Sequence, residues 1–239
     1  MHGDYEYLCV MRQGELSVLY EDNHLLIVNK PAGMLVQGDD TGDEPLVEAG
    51  KRYVKAKYQK PGAVFLGLVH RLDRPVSGAV VLARTSKALE RMNALFRDRE
   101  TEKIYWAVVQ VQPPQAEGTL IHWLWKDEKK NKTTAYSRET TGALRAELSY
   151  RVLASNAGYF LLEVKPVTGR PHQIRVQLAS MGCPIIGDVK YGYQEPLESG
   201  SIGLHARSLS FIHPVKKERL TITAPLPDDH LWNNFANLL

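Results

Sequence analysis

The sequence predicts an α+β fold, a mixed and mainly antiparallel sheet flanked by helices, in a single domain. Two observations carry this. Short β-leaning runs recur along most of the chain, and the helical stretches fall between them at irregular intervals instead of alternating strand by strand as in a parallel α/β sheet. No low-complexity linker and no repeat period divides the 239 residues, a length that suffices for one large domain with a buried core.

Each element follows from local pattern. Residues 16–36 read as short strands broken by turn chemistry, with 25–29 a strand and Lys30-Pro31-Ala32-Gly33 a turn. Residues 46–60 read as a helix, because Leu46, Ala49, Tyr53 and Ala56 drift along one stripe until Pro61-Gly62 stops it. The apolar runs 65–72 and 78–84 read as strands, which makes the polar HRLDRPVS between them a loop carried by the sheet. Ser86 is placed to cap a helix reaching about Arg99, with Leu89, Met92 and Phe96 on its apolar side and Arg91, Arg97 and Arg99 on its polar side. A strand is expected over 104–111. An aromatic, Lys-rich hairpin or insertion follows at 118–136, with Trp123 and Trp125 on one face, then an antiparallel pair at 146–154 and 158–164. Pro166-Val167-Thr168-Gly169 turns the chain into a helix begun by Pro171, carrying Ile174, Leu178 and Met181 inward and closed by Gly182. Strands at 208–212 and 219–224 complete the set.

With 44% apolar and 24% charged residues, the composition excludes disordered and fibrous chains. No stretch approaches the roughly 18 apolar residues needed to cross a bilayer, and MHGDYEYLCVMRQGE lacks the pattern of an export signal, so a cytoplasmic protein with no membrane partner is expected. Cys9 and Cys183 form no CxxC pair or disulfide framework, as suits a reducing compartment. Charge is unevenly spread: residues 1–50 hold two basic and ten acidic side chains, residues 51–100 twelve basic and four acidic. The second segment, densest at Lys51, Arg52, Lys55, Lys57 and Lys60, offers phosphates a patch, or is a solvated face that offsets the acidic first fifty residues.

The chain has no GxxxxGK[ST] loop, no GxGxxG after a strand, no HExxH and no Cys/His cluster at zinc spacing, so no metal and no nucleotide cofactor is expected. What remains is Asp73, a carboxylate between Arg71 and Arg74, and the helix start TGRPHQIR with Arg170, His172 and Arg175. A helix N-terminus beside arginines seats an anion, and Arg175 is a candidate partner for Asp73. Taken singly, Asp73 reads first as a turn residue bonding its own backbone and Arg175 as a surface charge. Tyr105 and Lys103 share a strand face, where Tyr105 either stacks on a planar base or packs in the core.

The segments VLYEDNHLLIVNKPAGMLV, LVHRLDRPVSGAVVLART, EKIYWAVV, VTGRPHQIRVQLASMGCPIIGDVKYG and LHARSLSFIHP, taken in order, resemble the RluA family of RNA pseudouridine synthases over residues 16–225. HRLDxxxSG, then TGRxHQIR about a hundred residues on, then PIxGDxxYG carry the resemblance. It implies a single pseudouridine synthase catalytic domain and an isomerase that converts specific uridines of tRNA or rRNA to pseudouridine through an aspartate nucleophile, with no cofactor. It implies catalytic roles for Asp73, for Tyr105 against the target uracil and for Arg175 paired with the aspartate. Arg71 corresponds to the arginine that helps to displace the target nucleotide, and His70, Lys103, Arg170, His172 and Ile174 join it as candidate substrate-binding residues. The partner implied is a structured RNA stem-loop, with a monomer as the default. Val76, Pro171 and Gln177 depart from the usual Thr, from the usual residue after TGR and from the frequent His, which bears on loop hydrogen bonds. No separate N-terminal RNA-binding module of the kind frequent in the family is expected before Leu16. Two other readings share these features: an RNA-binding module without turnover, and a hydrolase acting on the glycosidic bond of uridine.

Overall fold

The computed structural model describes residues 16–236; the expectations for Cys9 and for the first fifteen residues lie outside it. β1 (Val18–Glu21) and β2 (Leu25–Lys30) pair antiparallel across a turn that Asp22 closes, its Oδ1 accepting the N–H groups of His24 and Leu25 at 2.8 Å each. α1 spans Leu46–Lys57, three residues short of the expected Lys60, because Gln59 adopts a φ of 48° ahead of Pro61-Gly62. β3 is only Gly67–Leu68, not the whole of 65–72: the chain leaves the sheet after Leu68 to build the loop that ends at β4 (Ser77–Ala83). α2 (Ser86–Arg97) is capped by Thr85 and not by Ser86, the Thr85 hydroxyl accepting the Ala88 N–H at 3.1 Å.

β5 (Glu102–Val109) is followed by the expected hairpin, β6 (Glu117–Asp127) and β7 (Lys132–Tyr136). β8 (Leu144–Asn156) and β9 (Tyr159–Pro166) meet at Ala157-Gly158, both left-handed at φ 50° and 81°, as a tight right-twisted hairpin turn requires. α3 runs over Gln173–Ser180, beginning two residues after Pro171. β10 (Leu204–Ile212), β11 (Arg219–Thr223) and a short α4 (His230–Asn233) follow, the last absent from the sequence expectations.

The eleven strands of the described residues join one sheet, ordered β1-β2-β4-β10-β5-β9-β8-β6-β7, with β3 on β4 and β11 on β10. Among the described residues the pairing of β4 with β10 is parallel and the others are antiparallel, which is the mixed α+β architecture expected. Alternation along β4 sends Val80 and Leu82 into a core with α1 and α3, and Val81 and Ala83 into a second core under α2. Both faces of that strand are therefore covered, and each fully buried Val or Leu contributes about 1.5–3 kcal/mol. Trp106, Val108 and Leu161 bury against Trp232 and Phe235 at the C-terminal end.

The parallel contact has a steric condition. Gly78 has a φ of 117°, and a Cβ there would lie 2.4 Å from the Ala206 carbonyl oxygen on β10. Gly78→Ala is expected to destabilise the protein by more than about 1 kcal/mol, seen as a lowered urea midpoint; an unchanged midpoint would show that the two strands separate freely.

The basic run on α1 is largely neutralised. Lys51 pairs with Glu48, Arg52 with Glu44 and Lys57 with Glu21, so acidic residues of the first fifty cancel much of the patch. Of the two readings of that charge run, the structure favours the solvated, offset face.

Candidate active site

The loop between β3 and β4 is held from three sides. Leu72 and Val76 are buried and anchor it in the core. The fully buried Lys30 donates from Nζ to the carbonyls of Pro31 at 3.0 Å, Met34 at 2.8 Å and Arg74 at 3.2 Å, clasping the loop to the turn after β2. Burial pushes the Lys30 ammonium down to about 7, against the pull of Asp73; its three carbonyl partners match the three donors of the charged form. At the far end Ser77 Oγ lies 2.8 Å from Nδ1 of the buried His205.

His205 also makes stability depend on pH. Burial lowers it to about 4, so it stays neutral in the fold while an unfolded imidazole protonates near pH 6.5. The unfolded chain then binds more protons between these values, and stability present above about pH 6.5 is lost as pH falls toward 4, on the order of 3 kcal/mol. Unfolding free energies measured between pH 7 and 4.5 are expected to fall, and less steeply in His205→Asn; an equal slope in both would contradict this account.

Asp73 stands at the turn of the loop, its carbonyl accepting the Val76 N–H at 3.0 Å. Its Oδ2 accepts from Arg175 Nη1 at 2.9 Å, Oδ1 has no hydrogen-bond partner among the described residues, and the side chain is 30% exposed. Arg175 itself is only 5% exposed. It uses the other side of its fork on Asp188, with Nε to Oδ2 at 2.7 Å and Nη2 to Oδ1 at 2.8 Å, and its guanidinium lies 5.1 Å from the Tyr191 ring centroid. Burial works against the charge of Arg175, but Asp188 and then Asp73 outweigh it and its pKa moves up. The ion triad thus presents one fixed cation to a carboxylate that is partly open to solvent.

α3 holds Arg175 in place because its own start is tied down. Gln173 Oε1 accepts from Thr168 Oγ1 at 2.7 Å and from the Arg170 N–H at 2.9 Å, while its Nε2 donates to the Glu147 carbonyl at 3.0 Å. His172 takes the left-handed conformation, φ 54° and ψ 21°, with Nδ1 2.7 Å from Tyr191 Oη and Nε2 3.9 Å from Asp73 Oδ2.

Of the residues singled out in the sequence, Asp73, Arg175 and His172 come together. Tyr105 adjoins them: it is half-buried, burial and then the charge of Asp73 push its phenol pKa up, and its hydroxyl has no partner among the described residues. Ile174 is buried at the start of α3. His70 and Lys103 form a separate cluster with Phe96. The His70 ring stacks on Phe96 at 4.8 Å and its Nε2 accepts the Val81 N–H at 3.1 Å, while Lys103 Nζ lies 6.0 Å from the same ring. Burial, then the charge of Lys103, lowers His70 to about 4. Arg170 Nε donates to the Arg145 carbonyl at 3.2 Å. Arg71 is exposed, with no ion pair among the described residues. Sequence reasoning assigned no role to Lys30, Asp188 or Tyr191. The signal was there in NKPAG and PIIGDVKYG, where charged and phenolic residues interrupt apolar runs.

Residues 24–180 match the family model described as RNA pseudouridylate synthase. Among curated proteins, the chain is 35% identical over 224 residues to ribosomal large subunit pseudouridine synthase C of Vibrio cholerae, covering 89% of this chain and 66% of that protein. It is 33% identical over 224 residues to ribosomal large subunit pseudouridine synthase D of Zymomonas mobilis, covering 90% and 70%. Among solved structures, human RNA pseudouridylate synthase domain containing 4 superposes with a TM-score of 0.74 at 27% identity, covering 89% of each chain. The chain spans about two thirds of the length of these bacterial relatives.

The mixed sheet superposes on a solved RNA pseudouridylate synthase domain, and pseudouridine synthases are isomerases. The chain belongs to the RluA family of RNA pseudouridine synthases, whose members isomerise uridine to pseudouridine in RNA.

Proposed function

We propose that this protein isomerises a uridine in a stem-loop of tRNA or rRNA to pseudouridine, that the described residues form one catalytic domain, and that Asp73 is its nucleophile. The observation that carries the proposal is the partly exposed Asp73 carboxylate, with Oδ2 tied to Arg175 and Oδ1 unpartnered among the described residues. Oδ1 attacks the sugar carbon C1′ and displaces the uracil ring nitrogen N1; the freed uracil turns over Tyr105, its C5 bonds to C1′, Asp73 leaves, and the C5 proton passes to solvent while N1 takes one up. Nothing is gained or lost by the RNA, so the chemistry calls for a nucleophile and a pocket that keeps the detached base from water. The guanidinium of Arg175 keeps the carboxylate ionised and aimed.

The target nucleotide must leave its stack, at a cost of a few kcal/mol that is least in a loop. With the α1 patch offset by acids, the phosphate contacts that balance this cost fall to exposed Arg71 and to Lys190, whose charge reaches His172. His70 and Lys103 act through the loop they support, and Arg170 and Ile174 through the start of α3. No helix among the described residues is long and apolar enough to cross a membrane, and we place the protein in the cytoplasm, as a monomer, with its RNA. Of the two RNA classes, the ribosomal names of the curated relatives favour large-subunit rRNA.

The test is incubation with rRNA and tRNA transcripts carrying tritium at uracil C5. Release of tritium matched by pseudouridine, without free uracil, is expected from at least one of them. Free uracil would identify a hydrolase, and retention of RNA without release a binding module.

A further inference from the structure

Resting on the function proposed above, a finer assignment concerns His172. Tyr191 Oη accepts the Thr133 N–H at 2.8 Å, and its own proton needs an acceptor. The remaining partner of that oxygen among the described residues is His172 Nδ1, at 2.7 Å. Nδ1 therefore accepts, and the imidazole carries its proton on Nε2. Burial, with the charges of Arg175, Lys190 and Lys126 and against that of Asp73, lowers the His172 pKa and keeps the ring neutral.

That Nε2–H faces Asp73 Oδ2 across 3.9 Å, too far for a direct hydrogen bond. Nε2 has no partner among the described residues and is not sealed from solvent, and the Asp73 side chain facing it is 30% exposed. A donor and an acceptor so spaced suit a group that accepts and donates at one atom, since two bonds of about 2.8 Å from those points meet near a right angle. Uracil carbonyls and phosphate oxygens only accept, and uracil N3–H only donates. A hydroxyl does both. In a nucleotide inside an RNA chain the 3′ and 5′ oxygens are esterified, so the 2′-hydroxyl alone remains, on the carbon next to the one Asp73 attacks. We propose that His172 and Asp73 together read the ribose 2′-hydroxyl of the target uridine, Nε2–H donating to it and the carboxylate accepting from it, so that the site admits RNA and rejects DNA at this one nucleotide.

The left-handed backbone of His172 and the edge-on contact of its ring with Tyr191, centroids 5.7 Å apart, hold Nε2 in this position. Side-chain reach makes the idea testable. The amide nitrogen of Gln extends to where imidazole Nε2 stands, whereas that of Asn falls short yet tolerates the left-handed backbone.

The experiment uses synthetic stem-loops spanning a uridine that the wild-type protein converts, with either uridine or 2′-deoxyuridine at that position. Equilibrium dissociation constants are measured for wild type, His172→Gln, His172→Asn and Tyr191→Phe. Wild type is expected to favour the ribose form about tenfold, equivalent to about 1.4 kcal/mol. His172→Gln should keep most of that ratio, His172→Asn should bring it near one, and Tyr191→Phe, which frees the tautomer, should lower it several-fold. A wild-type ratio near one overturns the inference, as does an undiminished ratio in both His172→Asn and Tyr191→Phe. If one of these two fails to fold by circular dichroism, the other decides. Failure of the functional proposal is distinguished beforehand, because it appears as no pseudouridine in any transcript.

Discussion

Asp73→Asn is expected to abolish pseudouridine formation while RNA binding survives. The amide oxygen still accepts from Arg175 Nη1, so the loop keeps its anchor and the fold its stability. What disappears is the negative charge and the second carboxylate oxygen, which in the wild type has no hydrogen-bond partner among the described residues. A fall in single-turnover rate of at least about 10³-fold is expected, which corresponds to about 4 kcal/mol of barrier. Filter binding of the same RNA should change little. A variant that still converts uridine at the wild-type rate would remove Asp73 from the reaction.

The second large effect is on stability as well as activity. Arg175→Leu leaves Asp188, 1% exposed, as a buried carboxylate stripped of its two guanidinium bonds. Breaking a buried ion pair from one side costs about 3–5 kcal/mol, because the remaining charge has neither water nor a partner. Urea unfolding should show that loss directly. Arg175→Leu/Asp188→Leu removes the orphaned charge too, and is expected to recover most of the stability but none of the activity, since Asp73 still lacks its cation. If Arg175→Leu is as stable and as active as wild type, the triad has no part in either.

Where local pattern and packing agreed, the fold was legible in the sequence. The run at β2, the Pro61-Gly62 stop after α1, the β6–β7 and β8–β9 hairpins and the closure of α3 follow from turn chemistry and periodicity over a few residues. β3 was not legible to its true length, because the apolar residues after Leu68 are buried by a loop and not by strand pairing. Thr85 caps α2 in place of Ser86 because Thr85 is extended, at φ −138° and ψ 151°, while Ser86 is already helical. α4 is too short for a stripe and owes its burial to Trp232.

The candidate site divides in the same way. Asp73, Arg175 and Tyr105 lay in motifs dense enough for a family resemblance to reach them. The pairing of Arg175 with Asp188 was not readable from residue types, because an aspartate after glycine reads as a turn. Lys30 was hidden for the same reason: a lysine beside proline suggests an exposed turn, yet it is sealed by three carbonyls brought in from two loops. The α1 charges left two readings open, and the offset face is recognised only once Glu21, 36 residues away in the chain, is seen to take Lys57.

The most direct test of the central claim is the crystal structure of the wild-type protein with a stem-loop RNA that it converts. The account predicts the target uridine out of its stack, its C1′ about 3–3.5 Å from Asp73 Oδ1 and its uracil against Tyr105. A uridine still stacked in the RNA, or a sugar bound away from the Asp73–Arg175 pair, would contradict it.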